Sequence, residues 1–409
     1  MIFKYALKEW KLYWRINGVI FFQLFFTFFI VVLCTTSVII ELKYYWGVSS
    51  FCEKDGYYIQ SALFTYPDQM HIIRDSTELK QYLKNAEVYG SSDIQNSGFD
   101  LGERSVPVNI RAYDDTIIRQ FQPRIKDGNW IMKSEKSSKE LHAVITKNRY
   151  GIRTGDVIYA QIVVNDSQNT VNVIRLPIRI AGVLDDGMDF WGESLPQRDD
   201  INYKSCYQKF YMEEADAPII LISKETLLSL VENGMGYRVS MSLTGSCFVT
   251  YHEDIAEAEK EYNLSYIKDN CDVIVMEELG TMSHNNRMYL GEKLLQLSPV
   301  LSGALLFTLL SQISIRAIVT NLQLNNYSIY QLCGISKKQC CFINILSNTL
   351  LMVTALILAS IVIFFVKRLP VQDLDLAVVN GYQIAVCSVV MAVNVAISSI
   401  LPMITICRS

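Results

Sequence analysis

Residues 322–341 read LQLNNYSIYQLCGISKKQCC and lie between two long apolar runs. Ile329, Leu332 and Cys333 fall at i, i+3 and i+4, so a helix here carries one apolar stripe with Asn325, Asn326, Ser328 and Gln331 around it. Gly334 is a helix stop, because glycine tolerates the left-handed backbone at the residue after the last turn. Ser336 and Gln339 have the S-x-x-Q spacing of a capping box, in which each side chain satisfies a free backbone N–H at the start of a new helix. The spacing therefore predicts a helix, a sharp corner at Gly334, and a second helix that runs directly into hydrophobic sequence.

Outward from this corner the apolar residues are segregated. Half of the 409 residues are hydrophobic, yet 19% are charged, too many for a chain made only of membrane spans. Four runs are long enough to cross a bilayer core of about 30 Å, which takes about 20 helical residues. They are Ile16–Ile40, Leu297–Ile318, Phe342–Val366 and Tyr382–Ile406, and the stretch 41–296 reads as a soluble domain. The first run has Lys4, Lys8, Lys11 and Arg15 before it, as a signal peptide would. Its apolar stretch exceeds the roughly 7–15 residues of a signal core, and no small-x-small cleavage site follows, so the reading is a retained helix.

Orientation follows from the short flanks. The four basic residues before the first run, Arg316, Lys337 and Lys338 around the corner, and Arg408 after the last run belong on the cytoplasmic side; Lys367 and Arg368 are offset by Asp373 and Asp375. Both termini are then inside and the large domain is outside. The expected layout is an interfacial helix (1–15), a first span (16–40), an extracytoplasmic domain (41–296) and a second span (297–318). A cytoplasmic coupling segment (319–341), a third span (342–366), a short external loop (367–381) and a fourth span (382–406) complete it. The domain 41–296 carries 27 Lys and Arg against 38 Asp and Glu, a net of −11, which argues against nucleic acid as a partner.

Residues 1–15 put the four cations at helical spacing, with Phe3, Leu7, Trp10 and Trp14 on another side, the pattern of a helix lying in the membrane interface. Within 41–296, strands are expected at Ser105–Tyr113, Leu141–Thr146, Val157–Val164, Val171–Gly182, Pro218–Ile222 and Val239–Tyr251. Helices are expected after Asp114 and Asp115, after Ser223, from Asp254, and from Glu277 to Gln296 as a stalk continuing into the second span. The fold class is an α-helical membrane protein with four transmembrane helices and a mixed α/β extracytoplasmic domain, of two lobes, inserted between the first two. Cys52, Cys206, Cys247 and Cys271 fall in that domain, where they form one of three disulfide pairings or stay free.

The chain has no GxxxxGK[ST] phosphate loop, HExxH, GxSxG or CxxC, so it is not expected to be an enzyme, and no catalytic, cofactor or metal residue is assigned. The carboxylate pairs Asp114/Asp115, Asp185/Asp186, Glu213/Glu214 and Glu277/Glu278 read as solvated loop or helix-start residues. Gln23, Gln312, Asn344, Asn348 and Asn394 in the spans read as helix-to-helix hydrogen bonding. Ser388, Ala392 and Ala396 make a strip of small residues, a candidate seam within the chain or with a second copy.

Three further runs carry a likeness: RIKDGNWI (124–131), AVITKNRYGIRTGDVIYAQI (143–162) and IRIAGVLDD (178–186). With the four spans, the large insert and the corner, they resemble the FtsX-like permeases, the membrane subunits of MacB-type ABC transporters, over nearly the whole chain. The chain departs from that pattern where an Arg and a Glu usually precede the corner: Gln323 stands near the first and Asn326 at the second. The resemblance implies a MacB periplasmic-core-like domain, a bacterial plasma-membrane location, and a second permease copy or sister permease. It also implies a cytoplasmic ABC ATPase dimer that binds ATP and magnesium and grips Tyr327, Ile329, Tyr330, Leu332, Gly334, Ile335, Ser336, Lys337 and Lys338. ATP hydrolysis would then move the external domain to export or extract a peptide, antibiotic or lipid-like substrate, or to activate an external partner. The alternative is a membrane-anchored receptor whose acidic domain captures a peptide without transport.

Overall fold

The structure is a computed structural model that describes residues 2–63, 65–66, 71–101, 104–123, 125–131, 140–192, 200–213, 215–366 and 381–408. Its helices are α1 (Ile2–Leu12), α2 (Trp14–Cys52), α3 (Ser76–Tyr82), α4 (Asp115–Gln120), α5 (Lys224–Leu228), α6 (Glu257–Asn270), α7 (Leu279–Leu332), α8 (Lys337–Val366) and α9 (Gly381–Arg408). Two compact units result: Lys43–Leu290, and Met1–Leu42 with Gly291–Ser409. Among the described residues, α2, α7, α8 and α9 are long and apolar enough to cross a membrane. The loop expected at 367–381, with Lys367, Arg368, Asp373 and Asp375, lies outside the described residues but for its last position.

The α/β unit is built on one mixed sheet. Its path runs through strands Asp272–Glu278, Gly56–Leu63, Met241–Tyr251, Ala86–Ile94, Asn109–Tyr113, Ile219–Ser223, Leu141–Ile145, Val171–Leu184, Val157–Asn165, Asn96–Leu101 and Arg104–Val106. The strands from the two ends of the unit are antiparallel neighbours, Tyr57 opposite Glu278. This sheet runs without a break from Asp272–Glu278 to Arg104–Val106. Alternation along Val157–Asn165 buries Ile158, Ala160, Ile162 and Val164 on one face, the period of two that marked this run as a strand.

Three expectations shift for identifiable reasons. The run Ser105–Tyr113 is two strands, Arg104–Val106 and Asn109–Tyr113, because Pro107 has no N–H to donate to a ladder. The two pieces pair with different neighbours, Asn96–Leu101 for the first, Ala86–Ile94 and Ile219–Ser223 for the second. Helix α6 starts at Glu257 rather than at Asp254, because Ile255 N–H closes a turn onto the His252 carbonyl and Glu259 reaches back to the Ala256 N–H at 3.4 Å. Glu277 and Glu278 end a strand, and the stalk helix begins immediately after them at Leu279. Ser223 caps α5 as its position before KETLL predicts, accepting the Thr226 N–H at 3.2 Å. Cys52, Cys206, Cys247 and Cys271 are buried free thiols.

Asp114 is not a solvated helix-start residue. It sits before α4 without capping it; its carboxylate is buried, pairs with Lys224 Nζ and accepts the Gly90 N–H at 2.9 Å. Asp185 and Asp186 take Lys126 and Lys147 at 2.8 and 3.6 Å.

In the helical unit, Ile20, Leu24 and Phe28 of α2 pack with Met352, Ala355 and Ala359 of α8, where the alanines leave room for the bulkier α2 side chains. Helix α7 has 54 residues, about 80 Å at 1.5 Å per residue, with Pro299 inside it.

Candidate functional site: the corner at Gly334

The corner has the geometry its spacing predicts. Helix α7 ends at Leu332, and Gly334 takes φ +90°, a left-handed value that strains any side-chain-bearing residue. Ile335 N–H bonds to the Tyr330 carbonyl at 3.0 Å and Gly334 N–H to the Gln331 carbonyl at 2.9 Å, the paired bonds of a Schellman motif. The capping box then starts α8: Ser336 Oγ accepts the Gln339 N–H at 3.3 Å, and Gln339 Oε1 accepts the Ser336 N–H at 2.9 Å. The Tyr330 and Gln331 carbonyls at one helix end and the Ser336 and Gln339 amides at the next are thus satisfied within the turn itself.

The nine candidate residues divide into a surface and an anchor. Leu332 is 89% exposed and Ile329 55%, with Gly334, Ser336, Lys337 and Lys338 exposed beside them. The apolar stripe read from the spacing therefore faces outward. Lys337 Nζ reaches the Cys407 carbonyl at 3.4 Å. On the other side, Ile335 is buried with Cys340, Cys341 and Ile406. Tyr330 is half-buried against Tyr5 of α1, ring centroids 4.8 Å apart.

Tyr327 is fully buried and its hydroxyl lies in a polar set. It is 2.8 Å from Gln323 Oε1 and 3.3 Å from Glu9 Oε2, and it accepts from Asn344 Nδ2 at 3.2 Å. Asn344 Nδ2 also reaches Thr320 Oγ1 and Gln323 Oε1 at 3.4 and 3.5 Å. Burial pushes the Tyr327 phenol up and lifts the Glu9 carboxyl to about 7, against the pull of the Tyr327 hydroxyl and Arg316. Arg316 is 2% exposed and donates to Asn348 Oδ1 at 2.7 Å, while Asn348 Nδ2 donates to Ser398 Oγ at 2.9 Å. Gln23 likewise crosses between helices, accepting from Ser311 Oγ at 2.9 Å.

Two of these residues were not anticipated in their roles. Arg316 is a packed interior cation rather than a charge flanking the loop, and Glu9 is the carboxylate nearest to it in effect. The spacing held a signal: Arg316, Thr320, Gln323 and Tyr327 stand at i, i+4, i+7 and i+11, one polar face of α7, and Asn344 and Asn348 repeat at i, i+4 on α8. Glu9 Oε1, Arg316 Nε, both amide atoms of Gln312 and Asn394 Oδ1 are buried without a hydrogen-bond partner. Ser388, Ala392 and Ala396 are exposed on α9, so close packing among the described residues does not use that strip; Cys387, Asn394, Ser398, Ser399, Pro402 and Ile406 are buried on the same helix.

No family model matches the chain, and no curated protein matches it in sequence. Among solved structures, the periplasmic region of MacB from Actinobacillus actinomycetemcomitans is similar over 56% of this chain and 90% of its own length, at 13% identity and a TM-score of 0.26. The extracellular domain of the noncanonic ABC-type transporter YknZ from Gram-positive bacteria is similar over 53% of this chain and 100% of its own, at 10% identity and a TM-score of 0.28. At TM-scores this low neither likeness bears on function, which has to be read from the chain's own residues.

Proposed function

We propose that this chain is a membrane permease subunit of the FtsX/MacB type, coupling ATP hydrolysis by a cytoplasmic partner ATPase to movement of its α/β domain. The observation that carries this reading is the corner itself. A locally satisfied turn presents Ile329, Leu332, Lys337 and Lys338 outward, at the end of a helix that begins directly after the last strand of the α/β unit. An apolar residue as exposed as Leu332, rimmed by lysines, suits the centre of a protein contact. Coupling between distant sites needs an element with two arrangements that both sites bias, and this reading assigns that part to α7 because it runs from the last strand to the corner.

In this reading the termini and the corner face the cytoplasm, and the α/β unit is outside. The ATPase dimer holds ATP and magnesium; this chain contributes no catalytic group. Four spans make half of a membrane unit, completed by a second copy or a sister permease. The substrate is a peptide, an antibiotic or a lipid-like molecule, or the moving domain acts on an external partner.

The test is the full chain carrying Gly334→Val and Leu332→Asp, purified in mild detergent with its ATPase. Loss of a central apolar anchor weakens such a contact by about thirty-fold or more. Unchanged co-purification together with unchanged ATP turnover would sink the proposal. If the wild-type chain brings down no ATPase, the net −11 of 41–296 favours an anchored receptor for cationic peptides instead.

A further inference from the structure

Helix α1 shows three faces rather than two. Its i→i+4 pattern continues into α2, Tyr13 N–H bonding to the Glu9 carbonyl and Asn17 N–H to the Tyr13 carbonyl. At about 100° per residue, Ala6 and Glu9 fall on one side, Phe3, Leu7, Trp10 and Trp14 on a second, and Lys4, Lys8, Lys11 and Arg15 on a third. The structure gives each side a different surrounding. Ala6 and Glu9 are buried, Glu9 at 1% exposure, in the side that packs on α8 and the end of α7. Phe3 and Trp14 are 54% and 67% exposed, with Leu7 and Trp10 exposed between them. The four cations are all exposed.

Roughly a right angle separates the aromatic face from the basic one. That is the angle an interfacial helix needs if one face enters the hydrocarbon boundary and the next meets the headgroup layer. An aromatic face alone would suit any bilayer. Four cations in register beside it, with no carboxylate on their own face, have charge complementary to phosphates carrying no compensating amine.

We propose that α1 is a binding surface for anionic phospholipid headgroups, with its aromatic face in the bilayer boundary and Lys4, Lys8, Lys11 and Arg15 on the phosphates. It sits against the corner, since Tyr5 meets Tyr330 and Glu9 meets Tyr327 on the same helix. The inference rests on the membrane part of the proposed function and not on the ATPase.

The test uses the full chain in phosphatidylcholine vesicles doped with brominated phosphatidylglycerol or, at equal mole fraction, brominated phosphatidylcholine, and reads tryptophan quenching. Brominated phosphatidylglycerol quenches more strongly, each cation contributing about a five-fold preference. The triple variant Lys4→Gln, Lys8→Gln, Lys11→Gln, confined to exposed positions, keeps only the roughly five-fold preference of the remaining Arg15, and high salt removes the preference of the wild type. Equal quenching by the two lipids overturns the inference and leaves the chain in the membrane. No quenching by either overturns the membrane reading as well. Preference abolished by free glycerol phosphate overturns the headgroup assignment in favour of a soluble phosphate site.

Discussion

Lys224 in the α/β unit and Arg316 in the helical unit are both buried cations, and they are held in opposite ways. Lys224 Nζ meets the Asp114 carboxylate and donates to Ser76 Oγ at 2.8 Å and Thr77 Oγ1 at 3.2 Å, while the second Asp114 oxygen takes the Gly90 N–H. Burial lowers the lysine's basicity, but Asp114 and Asp75 outweigh it and the group stays firmly charged. Arg316 has Asn348 on one nitrogen, no partner on Nε, and a carboxylate, Glu9, that feels its charge while one of its own oxygens is orphaned. A saturated set has one good arrangement and fixes the sheet to its helices. An unsaturated set leaves open positions that other arrangements can fill, and it lies on α7 ahead of the corner, Arg316 being 18 residues before Gly334.

The sharpest way to break this comparison is Lys224→Met. It strands a buried carboxylate, so the α/β unit loses about 3–5 kcal/mol in denaturant unfolding, and Asp114→Asn in the same chain restores most of it. A loss under about 1 kcal/mol would mean that Asp114 is not truly fixed.

Glu9→Gln tests the other side. With its carboxyl lifted from 4.5 to about 7, the native state keeps a proton that the unfolded chain has released between those values. Stability therefore falls as pH rises from about 4.5 to about 7, by about 3 kcal/mol at 1.36 kcal/mol per unit. Thermal unfolding in detergent at pH 5 and pH 8 should show that decline in the wild type and a smaller one in the variant. An identical decline in both would remove Glu9 from the account. The smallest effect belongs to Tyr327→Phe, about 1–2 kcal/mol: Gln323 and Asn344 still reach each other at 3.5 Å when the hydroxyl is gone, but Glu9 Oε2 loses its 3.3 Å bond.

What was legible in the sequence was local. The Gly334 stop and the Ser336/Gln339 box span a few residues, and their hydrogen bonds form wherever the rest of the chain goes. The alternation of Val157–Asn165 is visible for the same reason. What was not legible depended on distant partners. Asp114 read as a helix-start carboxylate because its cation is at Lys224, far along the chain. Arg316 read as a flanking charge because run-based spans count charges without asking which face they occupy. The polar face from Arg316 to Tyr327 could be found by spacing, but nothing in the spacing points to Glu9. The strip Ser388, Ala392 and Ala396 permits close approach, and the small residues alone could not say to what.

The pairing of Tyr57 with Glu278 bears on how such a chain could have been assembled. Antiparallel neighbours lie about 5 Å apart, so the first and last strands of the α/β unit run side by side. A small hairpin has the same footprint. Everything between those two strands can therefore lengthen or shorten without moving the unit's first and last strands apart, so insertions in the middle of the unit are the changes its ends tolerate best.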